Sequence, residues 1–320
     1  MSKESNNQGR AYEYICINKL NKEINKIRKA KIESNSAYIA DERAWNLVND
    51  ELQSILSKSA EAVVSTIFEM EPKILENDEE ILKLRIQTDN EGKAGDVRDI
   101  IISRSNIKWE IGLSIKHNHF TVKHSRLAKN LDFGKKWFNV PCSPTYWEEI
   151  RPIFAMLEKL KLEKKKWSEI LSKDKDVYIP LLTAFKKEIL KSYRKDNLIP
   201  RKMVGYLLGE FDFYKVISVD SKKFTRIQSY NIHGDLNLPS KTIKPKIFIP
   251  IVELPTRIVS FDFKPNSSNT LELYMDCGWQ FSFRIHNADK FVIPSLKFDI
   301  QVIGMPATIL TIDCLWCAQK

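Results

Sequence analysis

The feature that most constrains the fold is a strict alternation of apolar and polar residues along 109–116. Successive strand residues point to opposite faces of a sheet, so this period of two predicts a strand with one buried face. The apolar face carries Trp109, Ile111, Leu113 and Ile115. The other face carries Glu110, Gly112, Ser114 and Lys116. Charged groups therefore lie on one side of a sheet whose other side is buried.

A second strand is predicted at 96–103, and Asp96 opens it. A hairpin between the two strands would set Asp96 beside Ser114 and Lys116. A carboxylate can hold a divalent cation and an ammonium stabilises charge growing on a phosphate, so the pair suits a Mg²⁺-dependent phosphodiesterase. The alternative is an ordinary cross-strand surface pair. Asp99 is the second candidate, although on a regular strand it faces the side opposite Asp96.

Composition points to a polyanionic partner. The chain has 320 residues with 43% hydrophobic content, enough for a large core. Its 51 Lys and Arg residues against 41 acids favour a polyanion without specifying nucleic acid. Residues 107–136 hold seven basic and two acidic side chains beside the predicted site, where we expect a phosphate backbone to run. Residues 155–204 hold fourteen basic and seven acidic side chains, which we interpret as a solvated helix face.

Cysteine usage and the N-terminal residues indicate the compartment. Five cysteines in a chain of this length form an odd, sparse set, which is typical of reduced cytoplasmic thiols. The first ten residues are polar and do not resemble a signal peptide. No apolar stretch is long enough to span a membrane. We therefore expect a cytoplasmic protein.

The periodicity along the chain predicts an α/β fold, with a mixed sheet flanked by helices and a β-rich C-terminal part. Helices are expected at 7–29, 45–70, 122–137 and, with interruptions, 154–195. Strands are expected at 213–219 and 224–230, and short β-rich runs follow from 247 onward. The proline-flanked stretch near residue 240 suggests a division into 1–240, a core that carries the predicted site, and 241–320, which either forms a separate region or packs on the core.

The order of these motifs resembles known nucleases. Gly-Asp, a strand, and then Ser-x-Lys is similar to the PD-(D/E)xK motif. The longer strings at 95–102, 112–119 and 123–127 resemble the HaeIII family of type II restriction endonucleases, as do 282–288 and 295–298. The resemblance implies a sequence-specific endonuclease that uses Mg²⁺ and cleaves double-stranded DNA within GGCC to leave 5′-phosphate ends. It also implies a restriction-modification system, whose DNA methyltransferase protects host sites, and it allows a homodimer.

The resemblance also assigns roles to the site residues. Asp96 and the backbone carbonyl of Ile115 would hold Mg²⁺, and Lys116 would stabilise the phosphate or orient the attacking water. Ser114 departs from the family pattern, where Asp or Glu is usual, and it would orient a water instead. Glu13 on the first helix would then complete the metal ligands. The alternative for Glu13 is a favourable acid at a helix N-terminus.

DNA contacts are expected at two places. His117, Asn118 and His119 follow the second strand, and phosphate or base contacts suit them better than zinc, which needs more ligands. Lys123, Arg126 and Lys129 come next and are expected to contact phosphates. Arg284 and Asn287 are candidates for base readout, with a structural hydrogen-bond cluster as the alternative. Two rival functions remain: a non-catalytic DNA-binding protein with a decayed nuclease core, and a structure-selective repair nuclease.

Overall fold

A computed structural model describes residues 3–88 and 96–316. Gly95, which belongs to one of the family-like strings, lies outside these residues. The helices are α1 (Lys3–Ile24), α2 (Ser36–Leu47), α3 (Asp50–Met70), α4 (Pro72–Leu75), α5 (Phe133–Phe138), α6 (Pro144–Leu162), α7 (Ile179–Lys195) and α8 (Ile199–Leu208). None of the helices in this part of the chain is both long enough and apolar enough to cross a membrane.

The strands divide between two sheets. In chain order they are β1 (Ala30–Ile32), β2 (Leu82–Ile86), β3 (Ile100–Arg104), β4 (Trp109–His117), β5 (Thr121–Ala128), β6 (Phe213–Val219), β7 (Phe224–Tyr230), β8 (Ile258–Phe263), β9 (Thr270–Met275), β10 (Gln280–His286), β11 (Ser295–Gly304) and β12 (Thr311–Leu315). The predicted strands at 213–219 and 224–230 are confirmed to the residue.

The first sheet has the order β1-β2-β3-β4-β6-β7-β12 in the described part of the chain. The β1–β2 and β4–β6 pairs are parallel, while the other neighbours are antiparallel. The prediction of a mixed sheet is therefore confirmed. The alternation along 109–116 is confirmed as well, because its four apolar residues belong to the buried core that also contains side chains of α1 and α3.

Local sequence explains the helices that cover this sheet. The predicted helix at 45–70 is interrupted, because Asn49 caps α3 by accepting a hydrogen bond from the Leu52 N–H. Tyr12, Cys16 and Ile17 recur on one side of α1 and are fully buried. Burial of these faces against the strands fixes α1 across the sheet, and α1 carries one of the predicted site residues.

The second sheet is antiparallel, with the order β5-β11-β10-β9-β8 in the described residues. One face is apolar and packs against helices, where Phe185 of α7 lies 5.8 Å from Phe283 and 5.0 Å from Phe298 between ring centroids. The expected β-rich C-terminal part is therefore confirmed. The run at 247–254 is irregular instead of a strand, since prolines at 250 and 255 lack the N–H that a ladder needs.

The helix predicted at 122–137 is wrong in its first half. Residues 121–128 form β5, which pairs antiparallel with β11 more than 160 residues later. Only the end of the segment is helical, where Asp132 caps α5 by accepting from the Lys135 N–H. Long-range strand pairing has overridden the local pattern of the basic residues.

Two compact units are interleaved along the chain. Unit one comprises residues 1–120, 210–253 and 307–320, and unit two comprises 121–209 and 254–306. These units differ from the predicted division into 1–240 and 241–320. The C-terminal residues contribute to both units, because β12 joins the first sheet while β8 to β11 build the second.

Candidate active site

Asp99, rather than Asp96, is the carboxylate that the fold brings to Lys116. Its Oδ2 atom accepts hydrogen bonds from the Lys116 ammonium at 2.8 Å and from the Ile115 backbone N–H at 2.6 Å. The Ser114 hydroxyl donates to the same oxygen at 3.4 Å. About a quarter of the Asp99 and Lys116 side chains is exposed, so the pair is open to a ligand. The expected placement of Asp96 beside Lys116 is wrong.

The position where β3 begins explains this outcome. The strand starts at Ile100, and residues 96–99 precede it without regular structure. The Asp99 N–H donates to the Leu113 carbonyl at 2.8 Å, so β3 meets β4 at that residue. The next N–H on this edge of β4 is that of Ile115. It donates to the Asp99 carboxylate instead of to a backbone carbonyl of a neighbouring strand. The rule that placed Asp99 on the far face applies only to a regular strand.

Asp96 is held by Arg98, whose side chain is 3% exposed. The guanidinium donates to Asp96 through Nε and Nη2 at 2.9 and 2.8 Å, and to Glu110 at 2.9 Å. It also lies over the ring of Phe211, 3.9 Å from its centroid. Burial raises the pKa of Asp96, but the Arg98 bonds outweigh burial and the net pKa is lowered. Asp96 therefore belongs to a satisfied ion-pair cluster.

The ammonium of Lys116 remains charged at neutral pH. Burial alone lowers its pKa, yet the carboxylates of Asp99 and Glu13 outweigh burial and raise the pKa above the usual value. A protonated lysine cannot accept a proton from water. Lys116 is therefore suited to binding a phosphate oxygen as a cation.

Glu13 faces the same group from α1. Burial raises the pKa of Glu13 well above its usual value, and the charges of Asp99 and Asp41 add to this effect, whereas Lys116 opposes it. Asp41 is 1% exposed, hydrogen-bonds with Glu13 and lies 3.5 Å from Arg10. The prediction that the first helix brings a carboxylate to the site agrees with this geometry, and its role as a metal ligand stays a prediction.

Lys215 is a neighbour that the sequence pattern did not reveal. It lies on β6 directly across from Ser114 and is 3% exposed. Its ammonium donates to the Phe120 carbonyl at 2.7 Å. Burial, together with the positive charge of Lys116, lowers the pKa of Lys215 to about 7. Only the parallel pairing of β4 with β6, about 100 residues apart, brings the two lysines together.

His117 and Asn118 are engaged with Asp220 in a compact cluster. His117 Nε2 lies 2.6 Å from Asp220 Oδ2, and the Asn118 amide donates to the same oxygen at 3.1 Å. In return the Asp220 N–H donates to Asn118 Oδ1 at 3.0 Å, and Ser218 donates to Asp220 Oδ1 at 2.7 Å. These bonds join the end of β4 to the end of β6. His119 follows in the connection to β5 and is half-buried.

The basic residues predicted to contact phosphates lie in unit two. Lys123 donates to the Tyr206 carbonyl at 2.6 Å and lies 4.0 Å from the centroid of the Tyr206 ring. Lys129 pairs with Glu158 at 3.1 Å on the surface. Arg126 is exposed, and its guanidinium reaches the Ser295 hydroxyl at 3.2 Å.

Arg284 and Asn287 also lie in unit two, and both make contacts within it. Arg284 is exposed on β10 and pairs with Asp299 at 2.8 Å. Asn287 accepts from the Tyr178 hydroxyl at 3.2 Å and donates to the Asp289 carbonyl at 3.0 Å. The structure thus gathers Glu13, Asp99, Ser114, Ile115 and Lys116 in unit one, while these two and the three basic residues belong to the other unit.

The oxygen donors at Asp99 suit a hard cation. Among residues 3–88 and 96–316, no group of three or more His, Cys, Asp or Glu side chains is spaced to hold a metal ion. Mg²⁺ does not require such a cage, because one or two carboxylates with water and phosphate oxygens commonly hold it. The hydrogen bonds that Asp99 accepts from Ser114, Ile115 and Lys116 all reach Oδ2, so they leave Oδ1 available. The donors present therefore fit Mg²⁺.

Comparison with known proteins places the chain in a family. A profile of the HaeIII restriction endonuclease family matches residues 9–306. The type II restriction enzyme HaeIII of Haemophilus aegyptius is 53% identical over 317 residues, which cover 99% of both chains. No solved structure matches the chain. The match extends over both units and includes all the site residues described above. The chain therefore belongs to the HaeIII family of restriction endonucleases.

Proposed function

We propose that this protein is a sequence-specific endonuclease that hydrolyses double-stranded DNA within GGCC and requires Mg²⁺. The observation that carries the proposal is the Asp99 carboxylate bonded to both the Lys116 ammonium and the Ile115 N–H, in a chain of this family. The resulting order, Asp99, a strand, and then Ser-x-Lys, corresponds to the PD-(D/E)xK pattern with Asp99 in the place first given to Asp96.

Asp99, Glu13 and the backbone carbonyl of Ile115 would hold the metal. In a strand the N–H and C=O of one residue point to the same side, so the Ile115 carbonyl faces the edge where its N–H bonds Asp99. When bound, Mg²⁺ would neutralise charge on the phosphate and lower the pKa of a coordinated water. Because Ser114 supplies no charge, Glu13 would compensate for the acid usual at that position, since a bound cation favours the ionised form of its carboxyl group.

Side chains of the protein would bind the phosphate and orient the attacking water. Lys116, which stays protonated, binds a non-bridging oxygen of the scissile phosphate and stabilises the charge that develops as water attacks in line. Ser114 orients that water through its hydroxyl. The 3′ oxygen leaves, so the products carry a 5′-phosphate and a 3′-hydroxyl.

DNA binding is assigned to the predicted basic and amide side chains. Arg126 and Lys129 are exposed and would contact phosphates, and Lys123 would contribute less because it already bonds Tyr206. His117, Asn118 and His119 would act at the end of β4, and Arg284 and Asn287 would read bases. A cognate methyltransferase would protect host GGCC sites, and the palindromic target suits a homodimer.

Digestion of plasmid DNA tests the proposal directly. Wild-type protein with Mg²⁺ should give the discrete bands expected for GGCC sites. Lys116→Ala and Asp99→Asn should each lower the single-turnover rate by at least about 100-fold, the scale of losing a preorganised charge, while DNA binding in Ca²⁺ persists. Asp96→Asn is the matched control and should keep a rate nearer to wild type.

Three other results would each contradict a different part of the proposal. If wild-type protein binds DNA and cuts nothing, the protein is a DNA-binding relative with an inactive core. Cleavage confined to junctions or damaged DNA would make it a repair nuclease. If Asp96→Asn loses most of its cleavage rate while Asp99→Asn cleaves DNA at a near-normal rate, then Asp96 is the metal ligand.

A further inference from the structure

The sheet of unit two has one face that is polar and open. Alternate residues of β10 and β11 are apolar and buried: Phe281, Phe283, Ile285, Leu296, Phe298 and Ile300. The residues between them point to the opposite face, where Arg284 and Gln301 are exposed and Lys297 is partly exposed. This face therefore carries basic and amide side chains together with carboxylates, among them those of Asp299 on β11 and Glu272 on β9.

Two positive charges stand directly opposite each other on this face. The register pairs Lys297 of β11 with Arg126 of β5 on one side and with His286 of β10 on the other. Side chains at opposed positions have Cβ atoms about 5 Å apart, and like charges there destabilise a sheet. The pairing of Arg126 with Lys297 therefore works against the stability of the free protein.

The acid in the adjacent row is engaged by other side chains of β10. Asp299, in the adjacent row, accepts from Arg284 at 2.8 Å and lies 3.2 Å from His286. The contact made by Arg126 is with the neutral Ser295 hydroxyl at 3.2 Å. Within residues 3–88 and 96–316 the ammonium of Lys297 makes no ion pair. An external anion that reached both side chains would remove the repulsion and gain two charge-assisted bonds.

We infer that this face is a DNA-contact surface, in which Arg126 and Lys297 together grip the phosphate backbone of the substrate. The inference rests on the proposed endonuclease function and adds Lys297 and the surface to it. A polyphosphate backbone fits better than a single small anion, because the basic row spans neighbouring strands about 4.8 Å apart while Ser282 and Gln301 offer further polar groups on the same face. The ion pair with Asp299 holds Arg284 in place beside them.

Salt-dependent binding tests the surface. Fluorescence anisotropy would measure the affinity of wild type, Arg126→Gln, Lys297→Gln and the double variant for a GGCC duplex and a scrambled duplex in Ca²⁺. Each single variant should lower the slope of log affinity against log salt by about 0.9, and the double variant by about 1.8, equally for both duplexes. Lys297→Arg should keep the wild-type slope.

The matched control is Arg194→Gln/Lys195→Gln, which removes two exposed charges from α7, a helix on the opposite, apolar side of the same sheet. Its slope should equal that of wild type. A thermal melt should show Lys297→Gln at least as stable as wild type, because one of two opposed charges is gone. A role confined to structure would instead lower the melting temperature and leave the slope unchanged.

Three results would overturn the inference: an unchanged slope in the double variant, an equal fall in the α7 control, or a loss restricted to the GGCC duplex. A parallel plasmid digestion by wild-type protein separates this failure from failure of the proposed function. Discrete cleavage with unchanged slopes rejects only the surface, whereas absence of cleavage rejects the endonuclease whatever the slopes show.

Discussion

At the scale of single residues, one glycine determines where Arg98 can lie. Gly112 is on the polar face of β4, two residues before Ser114. A Cβ atom there would overlap the Cδ of Arg98 and come within 2.5 Å of its Cγ. The absence of a side chain at 112 therefore lets Arg98 cross the face of the sheet and reach Asp96 and Glu110.

We expect Gly112→Ala to destabilise the protein by about 1–3 kcal/mol, the usual cost of overpacking a buried position. Urea unfolding measures this cost. In an Arg98→Ala background most of the overlapping atoms are gone, so the same substitution should cost clearly less. Equal costs in the two backgrounds would show that Arg98 is not what limits position 112.

At the scale of elements, the site depends on how α1 and the start of β3 approach β4. The first helix brings Glu13 to Asp99 and Lys116, and its buried face against the sheet fixes the position of that carboxylate. The irregular residues before β3 bring Asp99 to the edge of β4. Neither element supplies the complete site. A change in the packing of α1 should therefore lower the affinity for metal more than it disturbs the position of Lys116.

Glu13→Gln should raise the Mg²⁺ concentration for half-maximal cleavage by roughly 10–100-fold, since a carboxylate near the metal is lost. DNA binding in Ca²⁺ should persist, as for Asp99→Asn, which separates a loss of metal affinity from a loss of DNA affinity. Glu23→Gln on the same helix is the control, because Glu23 pairs with nearby Lys26 at the surface. Identical Mg²⁺ titrations for Glu13→Gln and wild type would leave Glu13 without a role in metal binding.

At the scale of the molecule, stability depends on charged groups that the fold encloses. Glu71 is fully buried between the end of α3, β6 and the loop at 237. It accepts hydrogen bonds from the Tyr214 hydroxyl and from the Asn237 N–H at 2.7 Å. Burial raises the pKa of Glu71 to about 7, from 4.5 in an exposed peptide. The folded protein therefore holds a proton that the unfolded chain releases at a lower pH.

The sign of the pH effect follows from this shift. A raised folded-state pKa stabilises the protein fully below about pH 4.5, and the stabilisation is lost as pH rises through about 7. We expect the free energy of unfolding of wild type relative to Glu71→Gln to fall by about 3 kcal/mol between pH 4.5 and 8, at roughly 1.4 kcal/mol per pKa unit. Urea unfolding at both pH values measures it.

Glu69→Gln is the control for Glu71, because Glu69 is an exposed acid in the last turn of α3, two residues before Glu71. Its difference from wild type should be nearly independent of pH. A flat difference for Glu71→Gln as well would mean that the Glu71 carboxyl is ionised throughout and is stabilised by Tyr214 and Asn237 alone.

The sequence by itself determined the local features of this protein. The alternation along 109–116 predicted β4 and the face that carries Ser114 and Lys116, because side-chain direction in a strand depends only on position parity. Strands β6 and β7 were also predicted, as a pair around Asp220 and Ser221. The long strings that resemble the HaeIII family were confirmed by the full-length match. The carboxylate on the first helix was also expected from that resemblance.

Only the tertiary structure decided which distant residues meet. The choice of Asp99 over Asp96 depends on where β3 joins β4, and the proximity of Lys215 to Lys116 depends on the parallel pairing of β4 with β6. The strand at 121–128 exists because it pairs with β11, which brings Arg126 opposite Lys297. Hydrogen bonds between residues far apart in the chain depend on the packing of the whole fold. A local pattern of side chains therefore cannot predict them.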